Sequence, residues 1–284
     1  MEKQTPTLSW GAQKRLQYLE FKLFWEGRVN RGDLTAAFGI SVPQASADFA
    51  RYQALAPYNM SYNSSAKYYV PNERFSPILI RPNAEAYFAE LLSSSSIESN
   101  TSSFHDYIDL VPNPTRLVGV AILRAIVQAA KNKQKISVDY RSFKHSQAGN
   151  TRWITPHAFG SDGFRWHVRA FCHTDHKFKD YVLGRIVDIS GTADSDVDVK
   201  LDRQWFSYID VIVGPCLTLS DDQKNLVAMD YGMTDQRLAI RCRIALLYYL
   251  LKKLGIDIDG KVRAGEEQQI VAINIDEVRA AIKS

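Results

Sequence analysis

The chain has 284 residues, of which 45% are hydrophobic, and a net charge of +4 at pH 7. This length is enough for two or three folded domains, each with its own core. No apolar run approaches the length of a membrane span, and the N-terminal segment MEKQTPTLSW lacks the apolar region of a signal peptide. The three cysteines are widely separated and odd in number, which suits a reducing compartment, so we predict a cytoplasmic protein.

The charge is divided unevenly along the chain. Residues 1–81 carry ten Lys and Arg against six Asp and Glu, a net charge of +4, and residues 115–188 carry thirteen against five, a net charge of +8. Residues 82–114 carry five acidic residues and no basic one, and residues 189–284 carry twelve basic residues against fifteen acidic ones. Each basic segment can contact an anion by itself, so the pattern predicts two anionic partners.

The first basic segment has the order of elements of a winged helix-turn-helix domain, which we predict over residues 1–80. Apolar residues at helical spacing predict a helix from Trp10 to Glu26. A short helix ending at Gly39 and a helix over residues 41–55, which begins with a serine cap, form the helix-turn-helix. Two short strands around Asn63-Ser64-Ser65 would be the wing.

The second helix of this pair is predicted to contact DNA. It opens with SVPQAS, whose small and polar side chains can enter a major groove, and basic residues surround it. Gln44 can pair bidentately with adenine, and Arg51 is placed to contact phosphate. The alternative is a helical hairpin that serves only for packing. The predicted DNA-binding residues are Ser41, Val42, Gln44, Ser46, Arg51, Asn63 and Lys67.

Residues 81–115 are predicted to connect this domain to the next one. A short helix from Pro82 to Leu92 precedes the run SSSSIESNTSS, which has no periodicity and has the composition of a flexible linker. Asn113 or Thr115 is expected to cap the following helix, RLVGVAILRAIVQAAKNK, which is apolar on most faces and is therefore expected to be deeply packed.

The segment from Trp153 to Ile186 contains the most informative pattern. Asp162-Gly163 between two apolar runs predicts a two-residue hairpin turn, and FRWHVRAF then alternates with period two. The alternation predicts a buried face with Phe164, Trp166, Val168 and Ala170, and an opposite face with Arg165, His167, Arg169 and Phe171. KDYVLGRI is predicted as a further strand. The basic face either binds an anion or is a hydrated surface.

These residues, with Tyr140-Arg141-Ser142 and Pro156-His157 upstream, resemble the WYL domain, an Sm/SH3-like β-barrel of bacterial transcriptional regulators. The triplet Trp166-His167-Val168 departs from the name-giving one and resembles the variant in repressors of phage-defence islands, associated with BREX and CBASS systems. The resemblance implies a WYL ligand-sensing domain over residues 116–190 and a nucleic-acid-derived anionic ligand. The ligand-binding residues expected on this ground and on charge are Tyr140, Arg141, Ser142, Arg152, His157, Arg165, His167, Arg169 and Arg185.

An alternative role exists for the cations of this group. Arg169 or Arg185 can pair with Asp139 or Asp180 and hold the barrel together without contacting any ligand.

Residues 191–284 are predicted to form a small α/β domain with a βαβ-like order. WFSYIDVIV, QRLAIRCRIAL and QQIVAINI have the composition of strands, and LLYYLLKKLG predicts a helix that ends at Gly255. Regulators of the resembled type carry such a module for dimerisation. Tyr248, Tyr249 and Leu250 belong either to an interface or to the core.

Three other functions are possible on residue composition. Cys172, His173 and His176 could bind zinc, but their spacing fits no four-ligand pattern, so we predict neither a metal nor a cofactor. No nucleophile elbow, P-loop or HExxH run is present, so an enzyme, including a sensor that turns over a nucleotide, is not predicted. An RNA- or single-strand-binding protein could use the barrel's cations with Tyr140, Trp166, Phe171 and Tyr181, although alternation turns Trp166 to the core.

The sequence therefore predicts an α+β protein with three domains: a winged helix-turn-helix, a central Sm/SH3-like barrel and a C-terminal dimerisation domain. The predicted function is that of a homodimeric transcriptional repressor of a phage-defence operon. Its predicted partners are an inverted-repeat duplex, a nucleotide or nucleic-acid ligand, and a second copy of the chain, with no membrane.

Overall fold

A computed structural model describes residues 8–95, 111, 114, 116–142, 150–259, 261, 263–265 and 267–283. The chain divides into two units, Met1–Val111 and Pro112–Ser284. Within the described ranges no helix has both the length and the hydropathy that a bilayer span requires. The predicted cap at Asn113 or Thr115 and the Ser-rich run from residue 96 onward lie outside the described residues.

The first unit has the element order of a winged helix-turn-helix, as predicted. Three helices precede a two-stranded antiparallel hairpin, and a fourth helix follows it. The elements are α1 (Trp10–Glu26), α2 (Arg31–Phe38), α3 (Val42–Leu55), β1 (Met60–Asn63), β2 (Tyr68–Pro71) and α4 (Ala84–Ser95).

Local capping sets the bounds of the three helices. Gly27 and Gly39 adopt left-handed φ values of 69° and 61° at the ends of α1 and α2, which glycine tolerates without strain. Asn30 forms a capping box with Asp33 at the start of α2, and the Ser41 hydroxyl accepts from the backbone of α3. The apolar faces of the helices then meet in one core, which includes Leu16, Leu19, Leu23, Leu34, Ala45, Phe49 and Tyr52.

The wing is a short β-hairpin that also forms a β-bridge with one residue from between the helices. Its register runs from Met60 opposite Pro71 to Asn63 opposite Tyr68, and the predicted turn at Asn63-Ser64-Ser65 is confirmed. Val29, between α1 and α2, pairs with β2 through Tyr69. This pairing fixes the hairpin against the helix-turn-helix.

The second unit begins with a helix on a five-stranded antiparallel sheet, in the order β6-β5-β4-β3-β7. In the described residues β6 and β7 are its edges, so the sheet is open and the predicted closed barrel is not formed. The elements are α5 (Val120–Lys131), β3 (Gln134–Tyr140), β4 (Thr151–Ser161), β5 (Trp166–Cys172), β6 (Lys177–Val182) and β7 (Ile186–Asp194).

The two edge strands are consecutive in the chain. A single 3₁₀ turn, Leu183–Arg185, connects them, so the predicted continuous strand KDYVLGRI is wrong. Because a few residues span little more than 10 Å, the sheet must curl strongly at this end for the turn to reach both edges. Bulges in β3–β7 and β4–β5 accompany that curl.

The connection between β4 and β5 is longer than predicted. Residues 162–165 lie between the strands, and only Gly163 has a positive φ, of 89°. The Asp162 carboxylate accepts from the backbone N–H groups of Phe164 (2.9 Å) and Arg165 (2.8 Å). This Asx turn replaces the two-residue turn, because the side chain supplies the acceptor that a tight turn takes from the backbone.

The alternation of β5 is correct, but its buried face is aliphatic. Val168, Ala170 and Cys172 lie in the core beneath α5. Phe164 and Trp166 are 59% and 56% exposed, so the prediction that they are buried is wrong. They occupy the loop and the first position of the strand, beyond the end of that core.

Helix α5 is packed on one face only. It begins at Val120, four residues later than predicted, after Gly119 as N-cap. Ile126 and Ala129 are buried against the sheet, whereas Val120 is 83% exposed. The prediction of a deeply packed helix is therefore wrong, since its apolar residues lie on both faces.

The rest of the second unit is a three-stranded sheet, β10-β8-β9, with short helices. Both strand pairs are antiparallel, so the predicted βαβ-like order is wrong, and the tryptophan and phenylalanine of WFSYIDVIV lie in a helix rather than a strand. The elements are α6 (Arg203–Phe206), β8 (Tyr208–Pro215), α7 (Asp221–Asp230), β9 (Leu238–Arg243), α8 (Leu247–Lys253), β10 (Ile270–Ala272) and α9 (Ile275–Lys283).

Candidate nucleic-acid interface and sheet-face network

The outward face of α3 combines two long polar side chains with alanines. Gln44 and Arg51 are exposed, and so are Ala47, Ala50 and Ala54. Spacings of three, four and seven residues place these five on one side of the helix, opposite its buried side. Short side chains let a helix approach a groove closely, and alanine can contact a thymine methyl group. The alanines were absent from the predicted set, although helical periodicity would have found them.

The other predicted DNA-binding residues surround this face. Ser41 caps α3 and Val42 is exposed at its first turn, whereas Ser46 is partly buried and lies to the side of the outward face. Asn63 and Lys67 are exposed in the wing, where Asn63 accepts from the backbone N–H of Ala66 and holds the turn. All seven residues therefore lie on the helix-turn-helix or its wing.

The basic residues of the candidate interface differ in whether they form an ion pair with a carboxylate. Arg51 and Lys67 are exposed, and no acidic residue of the described part of the chain pairs with either. Arg15 of α1, in contrast, pairs with buried Asp48 of α3 at 2.6 Å and thereby joins the two helices. Unpaired exposed cations are suited to phosphate contacts, since they have no internal anion to give up.

In the second unit, the face of the large sheet opposite α5 carries a group of buried and partly buried polar side chains that we call the sheet-face network. It consists of His157, His167, Arg169, Asp180, Asp202 and Tyr249. Its centre is Asp202, which is 1% exposed and caps α6. Arg169 donates to both oxygens of Asp202, at 2.8 and 2.9 Å, and His157 lies 3.0 Å from one of them. Burial opposes ionisation of Asp202, but the hydrogen bonds from Arg169 and His157 outweigh it and hold its pKa well below the usual range.

The network continues to α8. Arg169 also donates to Asp180 at 3.3 Å, and the Tyr249 hydroxyl donates to the same carboxylate at 3.3 Å. Burial raises the pKa of Asp180 despite these partners. His167 packs on the Tyr249 ring with centroids 4.6 Å apart, and its Nδ1 has no hydrogen-bond partner among the described residues. The C-terminal elements therefore cover the predicted basic face.

The remaining predicted ligand residues are dispersed. Arg165 pairs with Asp162 at 2.8 Å in the β4–β5 loop, and Arg141 pairs with Asp139 at 3.5 Å. Arg152 pairs with Asp175 at 3.0 Å. These three arginines thus have three separate carboxylate partners and do not converge on one point.

Arg152 and Tyr140 lie on the α5 side of the sheet. Arg152 is two residues from core residue Ile154, and Tyr140 packs against the same core and accepts from the Val182 backbone at 3.3 Å. Arg185 is the last residue of the turn between β6 and β7, and its carbonyl accepts from the backbone N–H of Arg141, the neighbour of Ser142. Only His157, His167 and Arg169 of the nine predicted residues share the network.

Sequence reasoning missed the two residues that organise the network. Asp202 follows an acidic run without any motif, and the sequence does not distinguish an interface role from a core role for Tyr249. No local signal could have found them, since Asp202 lies 33 residues from its partner Arg169, and Tyr249 lies 69 residues from its partner Asp180.

Cys172 and His173, two of the candidate zinc ligands, have other contacts. The Cys172 thiol donates to Asp175 at 3.1 Å, and the His173 ring lies 2.9 Å from the Thr155 hydroxyl. Hydrogen bonding from Lys179 holds the pKa of Asp175 at about 2. In the described ranges no group of three His, Cys, Asp or Glu side chains is placed to hold a metal ion.

The stability of the second unit is expected to fall as the pH drops below about 6.5, the usual pKa of histidine. Burial lowers the pKa of His167, so the unfolded chain takes up a proton before the folded one does. The loss is at most about 1.4 kcal/mol per pH unit for one group. Urea unfolding of His167→Phe between pH 5 and 7 should show a shallower pH slope than wild type.

A second histidine contributes to that measurement. Burial also lowers the pKa of His173, so part of the slope should remain in His167→Phe. An unchanged slope in His167→Phe would contradict the assignment.

Three protein-family models match the chain. The BrxR transcriptional regulator winged helix-turn-helix domain matches residues 11–93, and the WYL domain matches residues 121–190. The BrxR transcriptional regulator, C-terminal dimerization domain matches residues 208–278. The first match contains the outward face of α3, and the second contains the five-stranded sheet apart from the end of β7.

Full-length relatives are also similar. The DNA-binding transcriptional repressor CapW of Escherichia coli (strain KTE188) is 34% identical over 282 residues, which cover 96% of this chain and 93% of that protein. The CapW of Pseudomonas aeruginosa is 33% identical over 278 residues, with coverage of 96% and 93%. Among solved structures, Proteasome accessory factor B/C (PafBC) of Arthrobacter aurescens aligns at 13% identity with a TM-score of 0.24, and this chain spans about half (50%) of its length.

Proposed function

The chain belongs to the CapW family of DNA-binding transcriptional repressors, and we propose that it binds duplex DNA as a homodimer and represses transcription. The observation that carries this proposal is the outward face of α3, where Gln44 and Arg51 flank exposed alanines on a helix-turn-helix. Such a face fits a major groove, with the amide for base edges and the guanidinium for phosphate.

The proposed target is an inverted repeat that controls a phage-defence operon. A two-fold dimer reads two half-sites about 34–36 Å apart, or a multiple of that distance. The defence context rests on the resemblance of the central domain to repressors associated with BREX and CBASS, and on the BrxR models that match the two terminal domains.

Replacing Gln44 by Ala is expected to weaken binding to the operator by about 1–3 kcal/mol and to leave binding to random duplex nearly unchanged. The operator is the duplex that the protein protects upstream of its own gene in a footprint. Arg51→Ala should weaken binding to both duplexes and lower the salt dependence of binding, because it removes a phosphate contact. Gel-shift titrations at several salt concentrations measure both effects. Equal losses on the two duplexes for Gln44→Ala would show that it does not read a base.

The full chain is expected to be a dimer in solution. Its mass is 32.2 kDa, so light scattering should give twice that value. The C-terminal dimerization domain model supports this assembly. A truncation after residue 190 is a poor test, because it removes Asp202 and Tyr249 and uncovers Arg169. A monomeric full chain at micromolar concentration would contradict the homodimer.

We further propose that an anionic, nucleic-acid-derived ligand acts at the WYL domain. Two features support this proposal. The central domain carries many cations, and the sheet-face network places two histidines beside Arg169. Because Arg169 pairs with both Asp180 of β6 and Asp202 of the C-terminal elements, a phosphate that binds to Arg169 must compete with these carboxylates, and it can displace Asp202. Such an exchange would couple ligand binding to the dimerisation domain. Titrating single-stranded oligonucleotide into the protein–operator complex tests for a change in operator affinity.

A second candidate function is binding of RNA or single-stranded DNA. The observation that favours it is the exposure of Trp166, which can serve as a stacking surface. Tighter binding to single strands than to the footprinted duplex, together with its loss in Trp166→Ala, would favour this function over repression.

A further inference from the structure

A buried ion pair between α1 and α3 is hydrogen-bonded to Gln44, the residue proposed to contact a base. Asp48 is fully buried, and Arg15 donates to both of its oxygens, from Nε to Oδ2 at 2.6 Å and from the second guanidinium nitrogen to Oδ1 at 3.3 Å. Gln44 lies one helical turn earlier, and its Nε2 donates to Oδ1 of Asp48 at 3.3 Å. The side chain of Gln44 is therefore tethered on its inner side while the residue itself is exposed.

The chemistry of the tether fixes the orientation of the amide. An ionised carboxylate only accepts hydrogen bonds, so the nitrogen of the Gln44 amide must be the atom that faces Asp48. The carbonyl Oε1 is then directed away from Asp48, and no donor of the described residues binds it. Arg15 holds Asp48 from α1, so the orientation is set before any DNA is bound.

We propose that Asp48 is a positioning residue that makes Gln44 present a hydrogen-bond acceptor to the major groove, so that the base it contacts carries an exocyclic amino group. This inference rests on the proposed function. Adenine N6 and cytosine N4 donate in the major groove, whereas guanine O6 and thymine O4 accept. The second hydrogen of Nε2 can still donate to adenine N7, so adenine is preferred to cytosine.

Selection from a randomised duplex library with the full-length protein tests the contacted base. Gln44→Met, which keeps the length of the side chain and removes the amide, should lose preference at one position of each half-site. Wild type should prefer adenine or cytosine there, by about 5- to 150-fold. Gln53→Met changes an exposed glutamine of the same helix outside the outward face, and it should leave every position unchanged.

Asp48→Asn tests the positioning role. The oxygen of the new amide should stay on Arg15 Nε, the shortest contact, which turns its nitrogen toward Gln44. The Gln44 amide then rotates to accept from that nitrogen and presents its own nitrogen to the groove. The preference at the Gln44-dependent position should change from adenine or cytosine to guanine or thymine, a result that mere loss of stability cannot produce. Circular dichroism shows whether this variant folds, and if it does not, the Gln44→Met result decides.

The outcomes separate this inference from the proposed function. If wild type selects no duplex sequence, sequence-specific repression itself fails. If it selects a sequence but guanine or thymine stands at the Gln44-dependent position, or Gln44→Met alters no position, only the role of Gln44 and Asp48 is overturned. A folded Asp48→Asn that keeps the adenine or cytosine preference also overturns the positioning role.

Discussion

Asp202→Ala is expected to lower the free energy of unfolding of the second unit by about 3–5 kcal/mol, the cost of leaving a buried ionic partner uncompensated. Asp202 is buried and binds both Arg169, through two hydrogen bonds, and His157. Without it, the hydrogen bonds that Arg169 keeps within the described residues are the longer one to Asp180 and one to Gln204. Urea unfolding followed by tryptophan fluorescence measures the change.

The pH dependence provides a second readout of the same residue. A carboxyl group whose pKa is lowered by folding stabilises the fold above its unfolded pKa of about 3.9, and this contribution is lost as the pH falls further toward the folded value. The difference in stability between wild type and Asp202→Ala should therefore shrink below about pH 4. Asp188→Ala, which changes an exposed aspartate of β7, should stay within about 0.5 kcal/mol of wild type at every pH. A loss in Asp202→Ala as small as in this control would show that the network does not hold the unit together.

The same geometry bears on whether Arg169 senses a ligand or supports the fold. The pairing with Asp180 that the sequence offered as the alternative is present, and Asp202 is a second carboxylate partner of Arg169. Arg169→Ala should therefore lower the melting temperature, whatever its effect on ligand response. A variant of unchanged stability that loses the response to oligonucleotide would instead assign Arg169 to sensing alone.

The first unit could be predicted from sequence because local chemistry determines its elements. Gly27 and Gly39 end helices through their own backbone freedom, and Ser41 begins α3 by binding an amide three residues away. Signals of this kind act within one turn of a helix, so a single sequence contains them. The outward face of α3 follows from the same periodicity, although its role in DNA binding stays a prediction.

The basic sheet face could be predicted only in part, because distant residues decide its environment. Alternation correctly placed His167 and Arg169 on one face of β5, yet it could not say that Asp202 and Tyr249 would cover them. The pairing partners lie far along the chain, and no spacing rule connects them. The exposure of Trp166 has a similar origin, since it depends on where the core beneath α5 ends.

Glu20 holds the connection after the wing against α1 in the first unit. The residue is completely buried, and its carboxylate accepts four hydrogen bonds at 2.7–2.8 Å. One comes from the Tyr52 hydroxyl, and three come from the backbone N–H groups of Ile78, Leu79 and Ile80. Burial raises the pKa of Tyr52, so its hydroxyl stays protonated and continues to donate. No cation of the described residues pairs with this buried carboxylate, which is satisfied instead by the four donors.

Glu20→Gln is expected to destabilise the first unit by about 2–4 kcal/mol, although it preserves the shape of the side chain. Wherever the amide nitrogen stands, it replaces an acceptor and faces at least one backbone N–H that then has no partner. Hydrogen exchange should show loss of protection at Ile78, Leu79 and Ile80, and calorimetry should show earlier unfolding. Glu73→Gln, at an exposed glutamate of the same unit, should change neither. If the three amides stay as protected in Glu20→Gln as in wild type, another contact must hold this segment.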